Sequence, residues 1–338
     1  LRTRRQRQMC IRDRNWREVH EHVNNMSLGL INLGIKEGEH ICIIGRNRPH
    51  LYWSIIAAQN VGAIPTPLYQ DSVAQEMIFP ISHCSAKMAI VENQEQVDKL
   101  LEIKKDITSL KNIIYLDPRG LRNYKKNNLY SLNDVFTLKN IENVSKLQTE
   151  LKNRQSKQNL DTKSILLYTS GTTGRSKGVV LSNRNVIESG KAGIVFDNIN
   201  SDFSLICYLP MAWVGDFAFS MGLGLQSGMC ICCPESSETL HDDMREIGPS
   251  YFFGPPRFFE SLLTSVNLKI DDASSVKRKL FDYFMSIAKE NGEKILENKS
   301  VGLVNRIKYF FGELFIYGPL KNRMAVSYTH LRAHETRP

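Results

Sequence analysis

From Asn15 onward, short apolar runs alternate with helix-length segments, and that order limits the chain to few architectures. HICIIG at 40–45, AKMAIVE at 86–92 and NIIYL at 112–116 are short, continuous and largely apolar, as buried strands are. Between them lie PHLYWSIIAAQNVGA, which opens with proline at a helix start, and NQEQVDKLLEIK, whose apolar residues fall at helical spacing. NWREVHEHVNNMSLGLINLG precedes them and closes on Gly34, a suitable helix C-cap. Strand, helix and strand in repetition imply a parallel sheet covered by helices. The expected fold class is therefore α/β, with two mixed or parallel sheets and flanking helices.

The pattern pauses once. Residues 138–163, LKNIENVSKLQTELKNRQSKQNLDTK, contain no aromatic side chain and read as a solvated helix and connector. This predicts a first α/β subdomain at 15–145, a polar connector at 146–163 and a second α/β subdomain at 164–324. In the second half, SNRNVIESGKAGIVF reads as a helix capped by Ser182 or Asn183. Strands are expected at SLICYLP, MCICC and SYFFG, and mainly helical chain from Pro255 to about Phe311. No apolar run reaches the roughly 18 residues needed to span a bilayer.

The formal charge of +9 would suggest nucleic acid or an acidic surface as partner. Its distribution argues otherwise: residues 1–14 carry +5 and residues 325–338 carry +1, which leaves +3 for everything between. Both ends lack helical or strand periodicity and are expected to be non-native, so they are set aside from fold reasoning. No basic stripe with interleaved aromatics remains, and no nucleic-acid partner is expected. The cysteines, including the MCICC cluster, read as buried thiols of a reducing compartment.

YTSGTTGRSKGVV, 168–180, is the segment that carries chemistry. Between two strand-like runs, SILLYT and GVVLS, stand two glycines, four hydroxyl-bearing side chains and Lys177, and Gly178 follows at once. Glycine lets backbone N–H groups approach an anion, hydroxyls add rotatable donors, and lysine adds a point charge. Thr169, Ser170, Gly171, Thr172, Thr173, Gly174, Lys177 and Gly178 are the candidate phosphate-binding residues. The Walker pattern is absent, since Ser176 precedes the lysine and Gly178 follows it.

Several separated segments together resemble the AMP-forming acyl-CoA synthetases, long-chain fatty acid–CoA ligases of the adenylate-forming superfamily. YTSGTTGRSKGVVLSNRN resembles the family's phosphate signature, LPMAWVGD its following segment beside the reacting carboxylate, and FFGPPRFFESL an element that walls the acyl tunnel. GEHICIIGRNRPHLYWSIIAAQNVGAIPTPLYQDS is similar to its first βαβ unit. Three positions depart from the common pattern: Ser176 replaces a frequent proline, and Asn183 and Trp213 each replace a frequent histidine. The downstream segments of the family have no counterpart, which leads to the expectation of a truncated N-terminal fragment, inactive on its own.

The resemblance implies ATP, Mg²⁺ and CoA as cofactors and a fatty acid as substrate. The acid would attack ATP at the α-phosphorus to give acyl-AMP, and the CoA thiol would then displace AMP. Lys177, Thr172 and Trp213 would be catalytic, with Thr172 also beside the metal, while Trp213, Gly215, Phe253, Gly254 and Pro255 would face the acid. A cytoplasmic protein is expected, with peripheral membrane attachment and oligomeric state left open. Two other readings stay in view: a degenerate nucleotide-binding protein without ligase activity, and a synthetase for a medium-chain or aromatic acid.

Overall fold

Asn15 starts the first helix by a reciprocal exchange. Its side chain accepts the Glu18 N–H at 2.9 Å, and the Glu18 carboxylate accepts the Asn15 N–H at 2.8 Å. The helix α1 (Trp16–Asn32) ends where Gly34 turns to φ +85°, a conformation that costs glycine nothing. The structure, a computed structural model, describes residues 13–125, 127–137, 143–169, 176–296 and 299–323. Contacts divide the chain into two units, Leu1–Ser236 and Ser237–Pro338.

The first unit is built on a five-stranded, wholly parallel sheet in the order β2-β1-β3-β4-β5. Its strands are β1 (His40–Ile44), β2 (Ile64–Leu68), β3 (Met88–Val91), β4 (Asn112–Tyr115) and β5 (Leu129–Ser131). The helices between them are α2 (Pro49–Asn60), α3 (Ala74–His83) and α4 (Gln94–Glu102), followed by α5 (Leu132–Phe136). β2 and β3 are buried along their whole length, and β1 nearly so, which is why these strands read as continuous apolar runs. β2 carries Pro65 and Pro67, which lack the N–H that a central strand must donate, and it takes the sheet edge. The α/β expectation holds, but α3 and β5 were not anticipated.

The polar segment contains α6 (Val144–Lys157), and one of its side chains turns inward. Arg154 is buried, pairs with Glu150 and donates to the carbonyls of Ile35 and Val61 at 2.9 and 3.2 Å. Beyond it, β6 (Lys163–Thr169) and β7 (Lys177–Ser182) form an antiparallel pair lying beside β2 without joining its ladder. Then come α7 (Asn183–Asp197), β8 (Ser204–Ile206), α8 (Val214–Phe217), a π-helical stretch over Ala218–Gly224, α9 (Leu225–Ser227) and β9 (Cys230–Cys232). β8 and β9 pair in parallel.

The thiols differ from expectation. Cys42, Cys84 and Cys207 are buried, but Cys230 is exposed and Cys232 and Cys233 are half-buried. Among the described residues β9 pairs only with β8, so neighbouring chain does not bury its side chains as it does those of the large sheet.

The second unit is helical: α10 (Leu240–Ile247), α11 (Pro256–Asp271), α12 (Ser275–Leu296), α13 (Leu303–Gly312), a π-helical turn over Glu313–Tyr317, and α14 (Gly318–Arg323). Phe284, Ile287 and Tyr317 form its small core, and the Tyr317 hydroxyl donates to the Phe284 carbonyl. The strand expected at SYFFG reduces to a single bridging residue, Tyr251. Its neighbour Phe252 packs instead on Phe258 and Phe259 of α11, at ring-centroid separations of 4.9 and 6.4 Å. Among the described residues no helix is long and apolar enough to cross a membrane.

Candidate active site

The hairpin of β6 and β7 sets the mouth of the glycine-rich loop. Its register pairs Tyr168 with Gly178 and Thr169 with Lys177, and the Thr169 hydroxyl donates to the Lys177 carbonyl at 3.5 Å. Both Thr169 and Lys177 are exposed. Ser170, Gly171, Thr172, Thr173 and Gly174 lie outside the described residues.

Both strands are fixed below that mouth. Tyr168 is buried, and its hydroxyl donates to the Pro80 carbonyl at 3.1 Å. That uses the one phenolic proton, so His83 Nδ1, 2.8 Å away, must be the donor to Tyr168. Gln59 donates to the carbonyl and hydroxyl of Ser164 at 3.0 and 2.9 Å. Gly178 leaves room that its neighbours fill, since a Cβ there would stand 3.0 Å from Leu166 Cδ1 and 3.4 Å from the Tyr168 ring. Beyond β7, Ser182 caps α7 by accepting the Asn185 N–H, and Asn183 donates its own N–H to the Thr162 carbonyl at 2.9 Å.

Trp213 and Gly215 share a second element of the same unit. Trp213 is half-buried at the N-cap of α8, and its indole lies against Gly215, whose missing Cβ would sit 3.6 Å from Trp213 Cε3. Asp216 follows and is only 4% exposed. Tyr52 donates to its Oδ2 at 2.8 Å, and Asn47 Nδ2 stands 3.2 Å from its Oδ1. Burial pushes the Asp216 carboxyl up to about 7, against the pull of those two hydrogen bonds.

Asn47 lies in the turn between β1 and α2, where a second polar cluster forms. Glu92, at the end of β3, accepts the Arg46 N–H at 2.7 Å and Arg48 Nε at 3.0 Å. Arg48 also donates to the carbonyls of Pro234 and Glu235, past the end of β9. Burial alone would raise the Glu92 carboxyl, but the hydrogen bonds and charge of Arg46 and Arg48 hold it below the ordinary carboxylate range.

Sequence reasoning passed over Asn47, Tyr52, Glu92 and Asp216. Two of the segments quoted above, GRNRPHLYW within the first unit and LPMAWVGD, contain three of them, and it is the fold that joins those segments.

Phe253, Gly254 and Pro255 belong to the second unit. Phe253 is exposed, Pro255 is the N-cap of α11, and a Cβ on Gly254 would stand 2.8 Å from Phe252 and 2.9 Å from Phe259. Among the described residues no group of three or more His, Cys, Asp or Glu side chains could hold a metal ion.

The family model of the AMP-binding enzymes matches residues 3–298. The long-chain-fatty-acid–CoA ligase ACSBG1 of Rattus norvegicus is 27% identical over 270 residues, covering 78% of this chain. ACSBG2 of Homo sapiens, also a long-chain-fatty-acid–CoA ligase, is 25% identical over 332 residues, covering 96% of it. The chain spans 36% and 48% of the length of these two relatives. Among solved structures, the luciferase-like enzyme of the mealworm Zophobas morio superposes with a TM-score of 0.59 at 17% identity, covering 72% of this chain and 53% of its own. ATP-bound MatB from Rhodopseudomonas palustris gives 0.57 at 19% identity, covering 73% and 45%. At these identities the superpositions bear on the fold.

Proposed function

The chain belongs to the AMP-binding enzyme family, and from that premise we propose that it serves the ATP-dependent activation of a long-chain fatty acid. The acid's carboxylate attacks the α-phosphorus of ATP, forming acyl-AMP and releasing pyrophosphate. The CoA thiol then attacks the acyl carbon, and AMP leaves.

The observation that carries this reading is the pairing of Lys177 with Thr169 across the mouth of an anchored hairpin. The exposed Lys177 ammonium suits phosphate oxygens in its donor chemistry, and the Thr169 hydroxyl joins it by rotating its one proton away from the Lys177 carbonyl, a long bond of 3.5 Å. Tyr168, Gln59 and Asn183 hold the strands behind them, so these donors are in place before negative charge gathers on the departing pyrophosphate. Ser170 and Thr173 would add hydroxyl donors. Bound Mg²⁺ would neutralise phosphate charge, with the Thr172 hydroxyl as its protein ligand.

Trp213 and Gly215 would border the carboxylate, and Phe253, Gly254 and Pro255 the acyl chain. The preference for a long chain rests on the names of the curated relatives and on the aromatic cluster at the start of α11. Fatty-acid-dependent exchange of pyrophosphate into ATP, measured in the complete protein carrying this chain, tests the proposal. Exchange with palmitate exceeding that with octanoate or benzoate supports it, and exchange supported only by benzoate overturns the substrate class.

A further inference from the structure

Asn47 touches both ends of the segment that carries Trp213. Its Nδ2 stands 2.6 Å from the Tyr52 hydroxyl oxygen, 2.8 Å from the Leu209 carbonyl and 3.2 Å from Asp216 Oδ1, sharing two protons among three acceptors, while the Tyr52 hydroxyl donates to Oδ2 at 2.8 Å. One amide from the turn after β1 thus closes residues 209–216 into a clamped loop, with Trp213 and Gly215 inside it. Two further bonds tighten the loop: Trp213 N–H donates to the Pro210 carbonyl at 2.8 Å, and Ser220 Oγ donates to the Asp216 carbonyl at 2.7 Å.

The chemistry of the clamp is unusual for a merely structural contact. Asp216 is almost wholly removed from solvent, and both its described hydrogen-bond partners are neutral donors. The ionisable groups that face this cluster are Tyr52 from α2, Cys207 beyond β8 and Cys233 beyond β9, all neutral at pH 7 because burial raises each of them. Arg48 is turned to Glu92 and to the carbonyls of Pro234 and Glu235. A buried carboxyl without a cation changes its bonding when it changes its proton: ionised, it accepts from both partners, and protonated, it must also place a donor.

We propose that Asn47, Tyr52 and Asp216 are positioning residues, a proton-sensitive clamp that sets where Trp213 stands over Gly215 beside the acid's carboxylate. The proposal rests on the ligase reading for the carboxylate, but the clamp itself is measurable without turnover. Asp216 moves no proton to substrate; it acts through the segment that it ends.

The test uses 5-fluorotryptophan in the whole chain and ¹⁹F NMR, since the protein has three tryptophans and W213F assigns one resonance. In the parent protein the Trp213 resonance should titrate with a midpoint near pH 7. D216N should abolish that titration and displace the Trp213 resonance while the Trp16 resonance stays in place. Y52F removes a hydrogen bond that favours the ionised carboxyl, so it should move the midpoint to higher pH. A Trp213 resonance that ignores pH and is unmoved in D216N overturns the clamp. If D216N shifts all three resonances through loss of fold, Y52F decides: an upward midpoint supports the proposal, and an unchanged midpoint overturns it. Because no arm depends on catalysis, a failure here is distinct from an absence of pyrophosphate exchange.

Discussion

Tyr168 hangs between His83 and Pro80, receiving a hydrogen bond from His83 Nδ1 at 2.8 Å and giving one to the Pro80 carbonyl at 3.1 Å. Through this phenol, α3 of the first unit holds the strand that leads into the glycine-rich loop. Tyr168→Phe should remove both bonds but leave the Pro80 carbonyl its Cys84 N–H, at 3.1 Å, and the exposed His83 its access to water, so the expected cost is that of ordinary hydrogen bonds, about 0.5–1.5 kcal/mol. Urea unfolding of parent and variant measures it, and a loss below about 0.5 kcal/mol would show that the contact is incidental.

Glu92 is expected to stabilise the fold through its two arginines. Its carboxyl sits below the ordinary range in the fold, so the contribution is fully present above the unfolded value of about 4.3 and is lost as pH falls through the lower folded value. Glu92→Gln should cost about 2 kcal/mol at pH 7, the scale of a charge-assisted hydrogen bond, and should lessen the loss on acidification. An unchanged acid limb in urea titrations would contradict the assignment.

His50 and Asp216 should pull in opposite directions over one pH window. Burial, with His22 and Arg14 adding charge repulsion, pushes His50 down to about 4, so its contribution is present above about 6.5 and lost as pH falls toward 4. Asp216 is raised to about 7, so its contribution is present below about 3.9 and lost as pH rises to 7. Between pH 4.5 and 6.5, His50→Gln should make stability fall with rising pH relative to parent, and Asp216→Asn should make it rise more steeply. Unfolding free energies at three pH values separate these slopes.

β1, β3 and β4 were legible because their central residues are buried and announce themselves as apolar runs, whereas β5, three residues with only Leu129 buried, gave no such run. The hairpin was legible for a related reason: its two strands are near neighbours in sequence, and the turn chemistry lies between them. α3 escaped notice because Pro80 falls inside it, where proline ordinarily argues against a helix. Met77, Pro80 and Ile81 are all buried there, and that packing outweighs local propensity. SYFFG shows the opposite error. Its aromatics carry strand propensity, but that propensity reflects packing on a pleated surface, and Phe252 finds its packing on α11. Asp216 could not be singled out at all, since nothing in WVGD indicates an asparagine and a tyrosine more than 160 residues away.

The most direct measurement of the central claim is fatty-acid-dependent pyrophosphate exchange in the complete protein with Lys177 replaced by alanine. Lys177 is exposed at the start of β7, so its loss should leave the fold intact. If it donates to phosphate as charge builds on pyrophosphate, exchange should fall about 10²- to 10³-fold, the scale of losing one preorganised donor. Equal exchange rates in variant and parent would contradict the assignment of this hairpin as the phosphate site.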